Sequence, residues 1–236
     1  EISNNFSFDV HDWFYVLDGE FDVSVTAKRL AECDVVGVSY FVWNTHVSDR
    51  VCAEIKKINP DCLIVYGGLG TPKYGRCKEF LNERPYIDVI VHNEGELVFE
   101  NLLKSIIRQE DFRNVLGITT HEFSTSLAPR IKNISEMPSP YLDGLFDKLV
   151  VESEDTFEGV IESTRGCPYQ CTFCEIGDLY FQKMSMQSNE KVFRELDWLS
   201  KNKIDFFYNA DSNFGLLKNH GEIVDYMSQL KMDTGY

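Results

Sequence analysis

The sequence predicts an α/β protein: a Rossmann-like, doubly wound parallel sheet followed by the first strand–helix units of a TIM-type barrel. Three observations carry this. Short, nearly continuous apolar runs alternate with helix-period segments through the first half, the pattern of strands buried between covering helices. The rhythm is lost across residues 121–157, where Pro129, Pro138 and Pro140 stand among scattered polar residues and read as a linker. It resumes at Glu158. The expected organisation is a first domain over residues 1–120, a linker over 121–157 and a second domain over 158–236.

Taken in order, Phe6–Tyr15 reads as a strand, with the usual opening strand and helix of such a domain absent. Val35–Val42 is a continuous apolar strand. Val47, Val51, Ile55 and Ile58 then mark one face of a helix. Cys62–Tyr66 is the next strand, Gly67-Gly68 a turn and Tyr74–Leu81 a short helix. Ile87–Val91 is a strand, Glu96–Ile107 a helix with Leu97, Leu103 and Ile107 among its apolar positions, and Val115–Thr119 a further strand. In the second domain a strand of residues 160–164 leads through a cysteine-rich loop to a helix capped by Ser188, with Val192, Phe193, Leu196 and Leu199 on its apolar face. Strand Ile204–Tyr208, loop Asn209–Gly215 and helix Glu222–Leu230 complete a second unit. A full (β/α)₈ barrel needs about 250 residues, so the chain is expected to be cropped at both ends.

Of the 236 residues 43% are hydrophobic and 13% aromatic, which provides for a packed core. The formal charge of −15 disfavours a nucleic-acid groove, because phosphate binding needs a clustered positive face. No apolar run approaches the roughly eighteen residues of a membrane span, and the opening residues lack the pattern of a secretory signal. Cys33, Cys52, Cys62 and Cys77 show no ligand spacing and sit in or beside apolar segments, as small buried hydrophobes do. All seven cysteines suit a reducing cytoplasm.

Cys167, Cys171 and Cys174, in GCPYQCTFCEIG, carry the chemistry. Thiolates suit zinc or iron–sulfur clusters. A structural zinc site wants four protein ligands, and no His or fourth Cys lies within thirty residues on either side. Three thiolates on a four-iron cluster leave one iron open to a substrate. Zinc, buried apolar cysteines and a disulfide pair are the alternatives.

The run Arg165-Gly166-Cys167-Pro168-Tyr169-Gln170-Cys171-Thr172-Phe173-Cys174 resembles the cluster motif of the radical S-adenosylmethionine (SAM) enzymes, including the aromatic residue before the third cysteine. The resemblance implies that Cys167, Cys171 and Cys174 hold a 4Fe–4S cluster whose fourth iron chelates SAM. One electron then cleaves the sulfonium to give methionine and a 5′-deoxyadenosyl radical. It also implies that the backbone of Phe173 faces the adenine. In that family a polar motif at the end of the second barrel strand holds the SAM ammonium. Here Asp211 and Asn213 occupy that position, without the usual glycines, and an Asx-turn is the competing reading for Asp211. Tyr180, Phe181 and Trp198 read as core or barrel-wall aromatics.

Doubly wound domains place ligands at the carboxyl ends of their strands. The series VVGVSYFVWN, IVYGG and DVIVHNEGE resembles the cobalamin-binding domain of the cobalamin-dependent radical SAM subfamily, as does the linker Met137–Gly144. This likeness implies a corrin over Ser39, Tyr40, Trp43 and Asn44, with Tyr40, Phe41 and Trp43 as its apolar platform. The nucleotide tail enters beside Gly67, Gly68, Glu94, Gly95 and Glu96. The Asp-x-His-x-x-Gly cobalt-ligand pattern is missing: Asp9-Val10-His11 lacks the glycine. His11 reads as an ordinary strand residue, and His46 as a first-turn residue of a solvated helix or a lower-face cobalt ligand. Gly67-Gly68-Leu69-Gly70 does not have the Gly-x-Gly-x-x-Gly spacing of a dinucleotide site.

The family implied is therefore the cobalamin-dependent radical SAM enzymes, chiefly methyltransferases acting on an unactivated carbon or a phosphinate phosphorus of a small molecule or peptide. An external flavodoxin- or ferredoxin-like donor would supply electrons. A rearrangement or cyclisation with the same cofactors is the alternative reaction, and a non-catalytic metal- or cobalamin-binding module the alternative of a different class.

Overall fold

Asp22 opens the first helix by accepting from the N–H groups of Ser24 and Val25 (2.7 and 3.1 Å), two of the donors that a helix start leaves unpaired. This helix, α1 (Val23–Leu30), buries Thr26, Ala27 and Leu30 on one face. The computed structural model describes residues 22–73, 75–152, 156–174, 176, 182–204 and 206–235. The strand expected at Phe6–Tyr15, His11, Tyr180 and Phe181 lie outside the described residues. The chain divides into two compact units that meet between Arg130 and Ile131.

In the first unit, β1 (Val35–Ser39), α2 (Thr45–Ile58), β2 (Leu63–Gly67), α3 (Cys77–Glu83), β3 (Val89–Val91), α4 (Gly95–Arg108) and β4 (Ile118–Thr120) follow in order. The sheet order is β1-β2-β3-β4, with β1, β2 and β3 parallel. α1, α2 and α3 bury Leu30, Val51, Ile55 and Leu81 against Val36, Val38, Ile64 and Tyr66 in one core. α4 buries Val98 and Leu102 against Val65, Val89 and Val91 in a second core. The sheet is thus covered by helices on both faces, as its unbroken apolar runs require.

Two expectations change here. β4 is antiparallel to β3, with Val91 opposite Ile118 and Val89 opposite Thr120. Residues 109–117 return the chain to the carboxyl end of β3, where the His92 N–H donates to Gly117 O (2.9 Å), so β4 enters from that end and turns back through the Thr119–Ser124 bridge. An antiparallel edge on a parallel sheet is common. β1 also stops at Ser39 rather than Val42, because Asn44 folds residues 39–44 into a closed loop: its side chain accepts from Phe41 N (2.9 Å) and donates to Ser39 O (2.7 Å).

The second unit contains a short helix α5 (Asp147–Glu152), then β5 (Gly159–Ile161), β6 (Thr164–Arg165), β7 (Ser185–Met186), α6 (Asn189–Lys201), β8 (Phe207–Asn209) and α7 (Asn219–Thr234). β5 and β8 pair in parallel with α6 as the crossover, two successive strand–helix units. Ser188 caps α6, its side chain accepting from Lys191 N. Ile161, Val192, Leu196, Leu199, Ile204 and Ile223 form the core. Gly159 is required where β5 crosses α6, since a Cβ there would lie 2.8 Å from a Leu199 methyl and 3.1 Å from Phe207 Cβ. Residues before β5 brace the unit: the Tyr141 hydroxyl donates to Val160 O (2.9 Å) and accepts from Val160 N (2.7 Å), and Trp198 Nε1 donates to Asp147 (3.0 Å). Among the described residues no helix is long and apolar enough to cross a membrane.

Candidate functional site

The parallel β5–β8 pair brings two strand ends to one edge, with Ile161 beside Asn209. From there the chain enters β6, which pairs antiparallel with β7 (Thr164 opposite Met186, Arg165 opposite Ser185) and closes residues 166–184 at their base. An ion pair between Arg165 and Glu162 (2.7 Å) stiffens that base. Gly166 leaves β6 at φ 115°, a backbone conformation that favours glycine. The cysteines follow at once. Cys167 is half-buried, Cys171 and Cys174 are exposed, and all three thiols are free. Cys174 N donates to Cys171 O (3.0 Å), so the last two ligand candidates sit on one tight turn.

Among the described residues no three His, Cys, Asp or Glu side chains converge as a metal site. The donor set nevertheless fits a thiolate-ligated cluster. Three free cysteines close together in sequence, two of them exposed, are soft ligands of the kind such a cluster takes. Phe173 is 90% exposed, which leaves its backbone and ring accessible.

Asp211 is placed differently from a free strand-end carboxylate. Its side chain is sealed from solvent, and it accepts from Ser163 N (2.7 Å), Thr164 N (2.9 Å) and the Ser163 hydroxyl. The Asx-turn reading does not describe it either, since these partners lie 47 and 48 residues away. Asn213 Nδ2 and Thr164 Oγ1 are buried nearby without a hydrogen-bond partner among the described residues. Sequence reasoning missed Ser163, Thr164 and His220. His220 is buried, stacks on Phe214 (4.5 Å between ring centres) and lies 3.8 Å from Asp211. Nothing local in the sequence signals that meeting.

In the first unit the carboxyl ends of β1, β2 and β3 also share one edge. Ser39, Trp43 and Glu96 are exposed there, and Trp43 stacks on Phe41 at 4.7 Å with the rings 3° from parallel. Tyr40 is not part of that platform. It is 2% exposed, packs on Tyr66 and Phe80, and donates to Asp49 (3.2 Å). Asn44 is occupied in closing its own loop. Glu94 is buried and paired with Arg130 (3.3 Å), whereas Gly95 opens α4 beside Val91. Gly67 accepts from Tyr40 N (2.7 Å). Gly68 has φ 100°, and a Cβ on it would meet Tyr40 O at 2.8 Å. The protein's own β1 loop therefore demands this glycine, whatever else approaches it. His46 is exposed in the first turn of α2.

No family model matches the sequence. The chain is 30% identical over 236 residues to the 2-(S-pantetheinyl)-carbapenam-3-carboxylate methyltransferase of Streptantibioticus cattleyicolor, covering 97% of this chain and 34% of that protein. It is 29% identical over 221 residues to the cobalamin-dependent radical SAM methyltransferase TokK of Streptomyces tokunonensis, covering 90% and 32%. The chain thus spans about a third of the length of these curated relatives. In fold it is similar to the radical SAM methyltransferase TsrM of Kitasatospora setae, with a TM-score of 0.65 at 18% identity over 98% of this chain and 45% of that one. The parallel sheet of the first unit and the cysteine triplet at the strand ends of the second thus stand in a chain similar in sequence to a cobalamin-dependent radical SAM methyltransferase and similar in fold to a radical SAM methyltransferase.

Proposed function

We propose that the protein is a cobalamin-dependent radical SAM methyltransferase that modifies an unactivated centre of a small molecule or peptide in the cytoplasm, with electrons from a flavodoxin- or ferredoxin-like donor. The observation that carries this reading is the set of three free thiols on one loop rooted at the carboxyl ends of β5 and β8. Strand-end loops on that face are where barrel enzymes hold their reacting groups. Cys167, Cys171 and Cys174 would hold a 4Fe–4S cluster. Phe173 and Asn213 are the residues assigned to SAM, Asn213 because a buried amide N–H₂ without a protein partner suits an acceptor on a ligand. The exposed Trp43, stacked on Phe41, is the apolar surface assigned to the corrin, beside Ser39, Gly67, Gly95 and Glu96. When bound, the cluster supplies the electron that cleaves SAM and cobalamin supplies the methyl carrier. The domain assignment that goes with this is a cobalamin-binding first domain, a linker and the start of a radical SAM barrel from residue 158.

Anaerobic reconstitution of the full-length protein should give about four iron per chain and a reduced-state EPR signal that changes when SAM is added. Stoichiometric tetrahedral zinc on these thiols, with no iron uptake, would overturn the proposal. A substrate converted without gaining a methyl group would favour rearrangement or cyclisation instead.

A further inference from the structure

We infer that Asp211 and His220 form a positioning pair that fixes the root of the cysteine loop, and that Asp211 acts on the cluster through Ser163 and Thr164 rather than by holding the SAM ammonium. The inference rests on the cluster assignment proposed above.

The carboxylate stands just beyond β8, and the chain to which it bonds stands between β5 and the cysteines. One oxygen accepts two successive backbone N–H groups, Ser163 at 2.7 Å and Thr164 at 2.9 Å. The other accepts the Ser163 hydroxyl. Two successive amides aimed at one oxygen fix the local backbone, and Thr164 is followed directly by Arg165, Gly166 and Cys167. His220 completes the arrangement from the start of α7. Its Nδ1 accepts from Gly215 N (2.6 Å), so the ring proton resides on Nε2. Nε2 has no hydrogen-bond partner among the described residues and lies 3.8 Å from the second carboxylate oxygen. Both side chains are almost wholly hidden, at 0% and 2% exposure.

A carboxylate has about four lone-pair sites. Three are filled here, and a buried imidazole N–H stands opposite. A SAM ammonium would have to displace these donors from a sealed position. Holding the chain three and four residues before the first ligand requires no such displacement. The bonds cross 47 and 48 residues of sequence, so they couple the end of β8 to the cluster loop.

The test uses the reconstituted full-length protein with Asp211→Ala, Ser163→Ala, His220→Ala and His220→Gln. Groups that orient a metal's ligands typically change its retention about 10- to 100-fold. Asp211→Ala is therefore expected to lose iron to a chelator at least about 10-fold faster than wild type, and its reduced-state EPR signal should broaden before SAM is added. Ser163→Ala, which removes one hydroxyl and leaves the fold its backbone bonds, should shift both readouts the same way by less. His220→Gln, which returns an N–H donor near the place of Nε2, should recover what His220→Ala loses. SAM affinity per intact cluster should stay unchanged throughout. If Asp211→Ala keeps iron and its SAM-free spectrum but no longer responds to SAM, the carboxylate is a SAM ligand and the inference fails while the cluster assignment stands. If the variants lower the melting temperature and leave iron retention and spectrum alone, the pair is structural only and the inference fails. Wild-type protein that takes up no iron overturns the cluster assignment and this inference with it.

Discussion

Three cysteines of the first unit and two of the second stand in opposite surroundings. Cys52, Cys62 and Cys77 are 0%, 0% and 4% exposed and fill core volume. Burial pushes the Cys52 thiol up to about 12 and the Cys62 thiol up to about 11, so neither offers a thiolate near neutral pH. Cys171 and Cys174 stand in solvent on a loop pinned at its base. A helix or strand face hides a thiol and keeps it protonated, whereas a tethered loop keeps it available to a metal.

The largest expected effect breaks that comparison directly. Cys174→Ala should abolish iron retention and SAM cleavage in the reconstituted protein with little change in melting temperature. Cys52→Ala should do the reverse, leaving iron content intact and costing about 1–2 kcal/mol in denaturant unfolding as a small core cavity. A loss of iron with Cys52→Ala would erase the distinction.

Next is acid sensitivity, which should fall on the first unit. His92 is buried at the end of β3, its Nε2 2.9 Å from the Thr119 hydroxyl and 3.9 Å from the Cys77 sulfur, and burial pushes its pKa down to about 4. The unfolded chain binds that proton below about 6.5 and the folded unit only below about 4. Stability from His92 is therefore complete above about 6.5 and is lost as pH falls toward 4, by up to about 3 kcal/mol. His92→Gln should flatten this pH dependence of unfolding, and an unchanged slope would count against the buried neutral imidazole.

A smaller effect belongs to the second unit. Gly159→Ala should destabilise it by about 1–3 kcal/mol through overpacking against Leu199, read by urea titration with iron content unaltered. The smallest concerns the first unit's open edge. Trp43 is 62% exposed, so Trp43→Ala should weaken cobalamin retention by about 1 kcal/mol, roughly fivefold, while leaving the fold intact. Gly68→Leu should go further and abolish retention. Its failure would mix a lost ligand contact with a damaged β1 loop, because Gly68 already touches Tyr40 O, so Trp43 is the cleaner probe.

Much of this was legible because it is written locally. The apolar runs gave β1, β2 and β3, the helix period gave α2, α4 and α6, and Ser188 marked its cap. The cysteine triplet stood out through its spacing, and its three thiols are free on one loop. Tyr40 was legible too, yet misassigned. Val36, Val38 and Tyr40 fall two apart and share one buried face, so the alternation within an apparently unbroken run already pointed the ring inward. The antiparallel direction of β4 was not legible, since period carries no strand direction. α1 is a short helix whose announcement is a single capping aspartate. The bonds of Asp211 were beyond reach for another reason: a carboxylate in a loop reads alike whether it meets solvent, a ligand or a backbone turn 48 residues earlier.

The Tyr141 hydroxyl has a further consequence for assembly of the second sheet. Gly159 and Ile161 spend their backbone groups on β8, through Gly159 N to Phe206 O (3.0 Å) and Ala210 N to Ile161 O (2.8 Å). Val160 therefore points its N–H and C=O outward along the opposite margin, and Tyr141 answers both with one oxygen. A phenol here takes the place of a neighbouring strand. It blunts the margin on which a stray β-segment would otherwise dock and aggregate, and it makes lateral growth one-directional: any strand joining this sheet, from the same chain or another, must add beside β8.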